Sequence, residues 1–227
     1  MPESMPHGPL SWGCAESPAE LEEVYLFRYA HYYRNLPAAP GVDHKAGRVY
    51  LPIDQVSSHL TGRDADGALI IAGTGTRAST PGLPSEWREI LRLDTLAALN
   101  LDRILIFARL VERESCRGST NFPVFFRFGV NHFMERGYVY SIHYCAPALV
   151  PMYERAGYTM YGPGYTMRSG LYRVPMILTG ATAPYSARDR SRSAVTAQGV
   201  SPADSAIKNL RQALPETGRL SLCALSG

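Results

Sequence analysis

The sequence predicts an α/β (α+β) fold in a single domain, with a mixed central sheet flanked by helices on both faces. Three observations support this prediction. Strand-like runs alternate along the chain with amphipathic helical runs, and turn residues separate them. The 227 residues suffice for one well-buried core but not for two ordinary domains. A content of 45% hydrophobic and 19% charged residues is typical of a globular protein.

The first part of the chain contains an arm, a helix and a hairpin. Residues 1–17 show neither a helical nor a strand period, which predicts a flexible N-terminal arm. Residues 19–34 begin with acidic and end with basic side chains, and their apolar residues recur at helical intervals, so they form the first predicted helix. The apolar runs 57–63 and 68–76 flank an acidic turn with glycine, 64–67, and this pattern predicts a β-hairpin.

The middle of the chain reads as helix, strand, loop and helix. Residues 85–99 carry apolar side chains at three- and four-residue spacing, which predicts a helix. The apolar run 103–111 predicts a buried strand, and 112–121 is a polar loop. Residues 122–136 predict an aromatic-rich helix that Gly137 closes at its C-terminal cap.

Three further elements complete the predicted domain. They are a strand over 138–144, a short helix over 146–156 and a last strand over 172–178. The predicted domain therefore covers 18–180. The tail 181–227 is rich in Ala, Ser, Arg and Thr, and we expect it to be partly disordered, with one short helix.

Composition excludes several function classes. No run approaches the roughly 18 apolar residues that a membrane span needs, and the N-terminal residues lack the pattern of a signal peptide, so a cytoplasmic location is expected. A net charge of +3 is too small to indicate nucleic-acid binding. Cys14, Cys116, Cys145 and Cys223 are widely scattered, which predicts reduced thiols and no metal site.

One local pattern points to chemistry. The predicted strand ends at Arg109-Leu110-Val111, a loop with Arg117-Gly118-Ser119 follows, and a helix begins after it. Backbone N–H groups and the positive end of a helix then face one point, which suits a pyrophosphate or the phosphate of phosphopantetheine. Taken alone, the same pattern is also consistent with ordinary strand–loop–helix architecture.

The order of the motifs resembles the GNAT superfamily of N-acyltransferases. The residues that carry this resemblance are Arg109-Leu110-Val111, Arg117-Gly118-Ser119, and a run from Pro147 through Tyr153 to Gly157-Tyr158. The run 170–178 is similar to the closing strand of N-acyl amino acid synthases and acyl-homoserine-lactone synthases. The resemblance spans about residues 20–180.

The resemblance implies an acyltransferase that moves an acyl group from a pantetheine thioester to an amine by direct attack. The donor is acyl-coenzyme A or an acyl-carrier protein, with no tightly bound cofactor and no metal. An oxyanion that develops on the thioester carbonyl would accept a backbone N–H near Leu110 or Val111. The implied donor-binding residues are Leu110, Val111, Arg117, Gly118, Ser119 and Thr120.

The resemblance also suggests catalytic groups. Tyr153 matches the position of a hydroxyl beside the leaving sulfur, which implies a general acid; the alternative is a packed core tyrosine. His143 is a candidate base or a structural histidine. Acyl-homoserine-lactone synthases carry Glu-x-x-Arg, whereas here Ile106 precedes Arg109. Glu89 is the candidate to replace that carboxylate; the alternatives are that Glu89 is a solvated helical charge and that water deprotonates the amine.

Acceptor and partner expectations follow from the same outline. Arg28 and Arg77 together would hold a carboxylate on the acceptor, an amino acid or another small amine. A single loop glycine, Gly118, favours a carrier-protein donor over coenzyme A. Four arginines would face that acidic partner: Arg113, Arg117, Arg127 and Arg136.

Two alternatives from other classes stay open. The first is a catalytically silent GNAT-like module that binds a thioester or acts as a sensor, which the missing Glu-x-x-Arg carboxylate favours. The second is transfer from an aminoacyl-transfer RNA, for which only the arginine cluster at 188–192 offers a basic surface. Nucleic acid and membrane are not expected partners.

Overall fold

The computed structural model describes residues 10–36 and 39–179. The described chain divides into two compact units, and each is treated by itself. The first unit comprises the residues up to Leu83 together with Asp102–Ser141, and the second comprises Pro84–Leu101 together with the residues from Ile142. The predicted disordered tail, 181–227, lies outside the described residues.

Five helices and ten strands are formed by the described residues. The helices are α1 (Pro18–His31), α2 (Ser85–Ile90), α3 (Leu93–Leu96), α4 (Asn121–Met134) and α5 (Val150–Arg155). The strands are β1 (Ser11–Ala15), β2 (Val42–Asp43), β3 (Arg48–Val49), β4 (Ser58–Arg63), β5 (Leu69–Arg77), β6 (Ile104–Glu112), β7 (Tyr140–Cys145), β8 (Thr159–Met160), β9 (Tyr165–Thr166) and β10 (Tyr172–Thr179). No helix in these described ranges is both long and apolar enough to cross a bilayer.

The first unit is built on the antiparallel strand order β1, β4, β5, β6. Helix α1 buries Val24, Tyr25 and Phe27 in a cluster with side chains of β5 and β6. Helix α4 packs on β5, where Gly73 and Gly75 leave no space for a Cβ because aromatic rings lie against them. Two helices of this unit, α1 and α4, therefore pack against β5.

Helix α1 begins where its sequence signals predict. Ser17 is the N-cap: its hydroxyl accepts from the Glu20 backbone N–H at 3.2 Å, and the Glu20 carboxylate accepts from the Ser17 backbone N–H at 2.9 Å. This reciprocal pair is a capping box. Its hydrogen bonds lower the pKa of Glu20 to about 2.

The second unit is organised around β10. Strand β7 enters this unit at Ile142 and is a hydrogen-bonded neighbour of β10. Strand β8 pairs antiparallel with β10 through Met176 and Met160, and β9 pairs with it through Tyr172 and Thr166. The Tyr161 hydroxyl donates to the Leu91 carbonyl at 2.7 Å, which ties the α2–α3 segment to the strands.

The N-terminal arm differs from the prediction. The sequence predicts a flexible arm over 1–17, whereas Ser11–Ala15 form strand β1, paired with β4. Trp12 contributes, because its ring packs on Phe125 and Phe128 with centroids 5.7 and 6.4 Å away. A single large aromatic residue in a region rich in Pro, Gly and Ser is therefore an anchor for the edge of the sheet.

The helix predicted over 85–99 is also different. It is interrupted after α2, because Arg92 adopts a left-handed conformation with φ of 48°. A residue in this conformation cannot continue an α-helix. The interruption lets Leu91 and Leu93, on the two sides of it, both be fully buried. The apolar spacing was compatible with one helix or with two short ones.

Candidate active site

Strand β6 carries a bulge at Arg109 and Leu110. In the pairing of β5 with β6, Ala72 lies opposite Val111 and Thr74 lies opposite Ala108, so Gly73 faces two residues instead of one. Arg109 has φ of 51°, a left-handed conformation that is uncommon outside glycine. Bulges re-aim side chains and backbone groups, and strained backbone clusters at functional sites. Leu110, one of the predicted donor-binding residues, is thus part of the bulge, and Val111 follows it.

The bulge sends the Arg109 side chain into a buried charged cluster. The Asp54 carboxylate accepts from Arg28 Nη1 at 3.2 Å and from Arg109 Nη1 at 2.6 Å. It also accepts from the Leu51 backbone N–H at 2.8 Å. The side chains of Arg28 and Asp54 have no exposed surface, and that of Arg109 is 5% exposed. One carboxylate therefore joins α1, the segment before β4, and β6.

His59 and Thr74 complete this cluster. Arg28 Nη2 donates to His59 Nδ1 at 2.9 Å and to the Thr74 hydroxyl. His59 Nε2 then carries the ring proton and donates to the Asp54 carbonyl at 3.0 Å. Burial, with the neighbouring Arg28, lowers the pKa of His59 to about 4, so the ring is neutral. Burial and the charge of Arg109 lower the pKa of Arg28 to about 10.

The structure does not bring Arg28 and Arg77 together at one acceptor group. Arg28 is fully buried among the internal partners just described. Arg77 is exposed at the end of β5, where its side chain is hydrogen-bonded to that of Tyr138. The predicted pair is therefore divided between an interior network and an exposed position at the end of β5.

The predicted donor loop lies between β6 and α4. Arg117 is exposed and donates from Nη2 to the His31 carbonyl at 3.0 Å, which anchors the loop to the end of α1. Gly118 has φ of 82° in open surroundings. The Ser119 hydroxyl accepts from the Asn121 backbone N–H at 3.1 Å, and Thr120 is the N-cap residue of α4. Four predicted residues thus stand in one short segment at the start of a 14-residue helix.

Two residues that sequence reasoning missed lie beside this loop. Asn121, the first residue of α4, is 1% exposed, and its side-chain Nδ2 has no hydrogen-bond partner within the described part of the chain. A buried amide without a partner is uncommon and calls for an explanation. Glu112 accepts from the Ser119 hydroxyl at 3.4 Å, and burial raises the pKa of its carboxyl. No sequence signal distinguished either residue from ordinary polar loop residues.

In the second unit, His143 and Tyr153 are in contact. The His143 ring lies between two tyrosines, with its centroid 3.9 Å from that of Tyr153 and 4.4 Å from that of Tyr158. Neither ring nitrogen of His143 has a hydrogen-bond partner among the described residues. Burial lowers the pKa of His143 to about 3 and raises that of Tyr153. At neutral pH this cluster therefore holds a neutral imidazole and a neutral phenol.

Glu89, the predicted substitute for the missing carboxylate, has a different partner. It lies exposed on α2 and accepts from the Tyr165 hydroxyl at 2.8 Å, which ties α2 to β9. The Glu-x-x-Arg position itself is held by Ile106, which is fully buried in β6. Within residues 10–36 and 39–179, no group of three or more His, Cys, Asp or Glu side chains is arranged to hold a metal ion.

No protein-family model matches the chain, and no curated protein matches it. Solved structures do match. FeeM, an N-acyl amino acid synthase from uncultured soil microbes, has a TM-score of 0.61 at 11% identity over 78% of this chain and 92% of its own. The chain has the GNAT fold. The predicted fold class is therefore confirmed.

Two further structures extend the comparison. The acyl-homoserine-lactone synthase LasI has a TM-score of 0.57 at 12% identity, over 75% of this chain and 89% of its own. MesI, a CoA-dependent acyl-homoserine lactone synthase, has a TM-score of 0.56 at 14% identity, over 86% of this chain and 91% of its own. The GNAT fold of this chain thus resembles that of N-acyl amino acid and acyl-homoserine-lactone synthases. At sequence identities of 11–14%, this structural similarity establishes the fold alone.

Proposed function

We propose that this chain is an N-acyltransferase that moves an acyl group from a pantetheine thioester to the amine of an amino acid or another small metabolite. The observation that carries the proposal is the bulge at Arg109 and Leu110, opposite Gly73. A strained bulge held by a buried salt bridge is a preorganised feature rather than a loose strand end. It occurs in a fold that the N-acyl amino acid synthase FeeM shares.

The donor is held by the bulge, the following loop and the start of α4. Backbone N–H groups of Leu110 and Val111 would donate to the thioester carbonyl as negative charge develops on its oxygen. The N-terminus of α4 and the nearby Arg117 suit the phosphate of the pantetheine arm. The unpartnered Nδ2 of buried Asn121 offers one further donor at the same helix end.

The reaction needs two proton transfers. The amine attacks the thioester carbonyl carbon, the C–S bond breaks, and the thiolate leaves with a proton from an acid. We assign that acid to Tyr153, because its position matches that of a hydroxyl beside the leaving sulfur and its phenol is protonated at neutral pH. His143, with a pKa of about 3, is a weak base. The Glu89 carboxylate accepts a hydrogen bond from the Tyr165 hydroxyl. We therefore assign the role of proton acceptor for the amine to water.

Donor class and partner are part of the proposal. Arg117, Arg127 and Arg136 are exposed and provide positive charge for an acidic carrier protein. Arg113 is less available, because it is paired with Asp64 at 3.2 Å and with the Leu69 carbonyl at 2.6 Å. MesI is described as CoA-dependent, so coenzyme A thioesters belong in the same test.

The test is thiol release from a panel of acyl-carrier-protein and acyl-coenzyme-A thioesters with mixed amines, with the product identified by mass spectrometry. We expect amine-dependent thiol release by the wild type. Tyr153→Phe should lower the rate by on the order of 100-fold, because the leaving thiolate loses its proton donor. Tyr158→Phe is the matched control, since it removes a hydroxyl from the same ring cluster and should retain most of the activity.

Three outcomes separate the readings. Amine-dependent release that Tyr153→Phe lowers on the order of 100-fold supports the transferase and the assigned acid. Release that Tyr153→Phe leaves unchanged supports the transferase but rejects this acid. Saturable donor binding without turnover of any thioester rejects the transferase in favour of a silent binding module, which the buried Ile106 at the Glu-x-x-Arg position would suit.

A further inference from the structure

A polar cleft of about 550 Å³ opens on the first unit, at the end of β5. Its polar lining comes from four segments of the chain that converge there. These segments are the start of β4, the end of β5 with the turn after it, the residues before β6, and those after α4. The polar lining residues are Ser58, Arg77, Ser79, Thr80, Asp102 and Tyr138.

The walls of the cleft are fixed by hydrogen bonds. The turn after β5 closes with the Thr80 N–H donating to the Arg77 carbonyl at 3.0 Å. The Ser79 hydroxyl donates to the Asp102 carboxylate at 2.5 Å, which joins the turn to the residues before β6. The Arg77 side chain is hydrogen-bonded to that of Tyr138. The cleft is therefore an ordered surface feature.

The lining combines one cation and one anion. Arg77 is exposed and offers a planar set of N–H donors, the geometry that suits a carboxylate. Asp102 is also exposed, and its charge is close enough to stabilise the charged form of Arg77. The hydroxyls of Ser58 and Thr80 add hydrogen-bond donors and acceptors to the lining of the cleft. A ligand with adjacent negative and positive groups could contact both charged side chains.

We propose that this cleft binds an α-amino acid as its zwitterion, with Arg77 holding the carboxylate and Asp102 holding the ammonium group. A phosphate or a sugar phosphate fits less well, because Asp102 would repel it. A neutral sugar would make no ionic contact with Arg77 or Asp102. The volume of the cleft leaves space for the amino-acid side chain.

This cleft is separate from the proposed reaction centre. Arg77 lies opposite Leu105 in the sheet, four positions before Arg109. At about 3.3 Å per residue, the bulge is about 13 Å away along β6. An amine held at Asp102 could not reach a thioester carbonyl at the bulge. The cleft is thus a second ligand site, and its occupancy does not require acyl transfer to occur.

Equilibrium binding tests the proposal without any thioester. Isothermal titration calorimetry of the full chain would use L-serine as the reference probe within a panel of common α-amino acids. N-acetyl-L-serine and L-serinamide each lack one charge, and inorganic phosphate tests an anion alone. We expect saturable binding of at least one amino acid, with affinity for its two capped analogues lower by on the order of tenfold.

Variants locate the site. Arg77→Gln and Asp102→Asn should each weaken amino-acid binding by on the order of tenfold, because each removes one ionic contact. Both side chains are exposed, so the fold should persist, and circular dichroism checks this. Arg103→Gln is the matched control, since Arg103 is an exposed neighbour that does not line the cleft.

The outcomes are decisive for this site alone. Three results would each overturn the proposal. The first is that no amino acid binds saturably, and the second is that the capped analogues or phosphate bind as tightly as the free amino acid. The third is that the two cleft variants bind the amino acid as tightly as the wild type does. Failure of the thiol-release test leaves this result untouched, since no acyl donor is present.

Discussion

His59 and His143 are both buried histidines, one in each unit, and their surroundings differ sharply. His59 uses both ring nitrogens, accepting from Arg28 and donating to the Asp54 carbonyl. His143 has two tyrosine rings against it and no hydrogen-bond partner among the described residues. Burial lowers the pKa of both rings, to about 4 and about 3. The same direction of shift therefore arises in two different environments.

The difference separates a scaffold from a candidate reactive site. A polar group that finds all its partners inside the protein stabilises one arrangement, and the cluster around Asp54 holds the bulge in this way. A buried polar group without partners is destabilising by about 1–3 kcal/mol. His143 bears that penalty beside Tyr153, the proposed acid.

The largest expected effect comes from breaking the scaffold. Asp54→Asn leaves the buried guanidinium groups of Arg28 and Arg109 without their shared carboxylate. Removing one partner of a buried ion pair typically lowers the free energy of unfolding by about 3–5 kcal/mol. Urea denaturation at pH 7 measures this loss. Asp64→Asn is the matched control, because its pair with Arg113 is half-exposed and should contribute about 1 kcal/mol or less. Equal losses in both variants would show that the cluster is not a scaffold.

The next effect is a pH dependence that distinguishes the two histidines from exposed ones. The pKa of both rings in the folded state lies below the unfolded value of 6.5. Below pH 6.5 the unfolded chain therefore binds protons that the folded chain does not. The free energy of unfolding consequently decreases as the pH is lowered. Each ring contributes about 1.4 kcal/mol per pH unit, down to about pH 4 for His59 and about pH 3 for His143.

His143→Phe removes one of these two contributions and replaces the ring by an apolar one. We expect the variant to keep, at pH 5, about 2 kcal/mol that the wild type loses relative to pH 7. Urea denaturation at both pH values measures the difference. An unchanged pH slope would mean that His143 has the same pKa in the folded and unfolded states, which would contradict the lowering of its pKa by burial.

Much of the fold could be predicted because its signals are local. The acidic start and basic end of α1, the glycine turn before β5 and the apolar run of β6 each depend on neighbouring residues. Strand β1 was missed because its stability comes from Trp12 packing on α4, far along the chain. The break at Arg92 was missed because spacing alone does not show a left-handed residue.

The candidate site was predictable only in part, for the same reason. The donor loop is contiguous in sequence, so a strand, a loop with Gly118 and a helix could be recognised together. In the cluster around Asp54, Arg28 lies 26 positions from Asp54 along the chain and Arg109 lies 55 positions from it. No local sequence pattern pairs residues at such separations. Arg109 was identified as a strand end, but its positive φ is a consequence of pairing with β5.

The smallest effect concerns one hydroxyl in the scaffold. Arg28 Nη2 donates to two acceptors, the Thr74 hydroxyl and His59 Nδ1. Thr74→Val keeps the side-chain shape but removes the first of these acceptors. Because His59 still accepts from Arg28, we expect a loss of about 1 kcal/mol in the free energy of unfolding. Thr61→Val, a buried threonine of β4 that is not part of this cluster, is the control for removing a hydroxyl. A loss as large as that of Asp54→Asn would make the hydroxyl essential, whereas no loss would show that His59 alone satisfies this nitrogen.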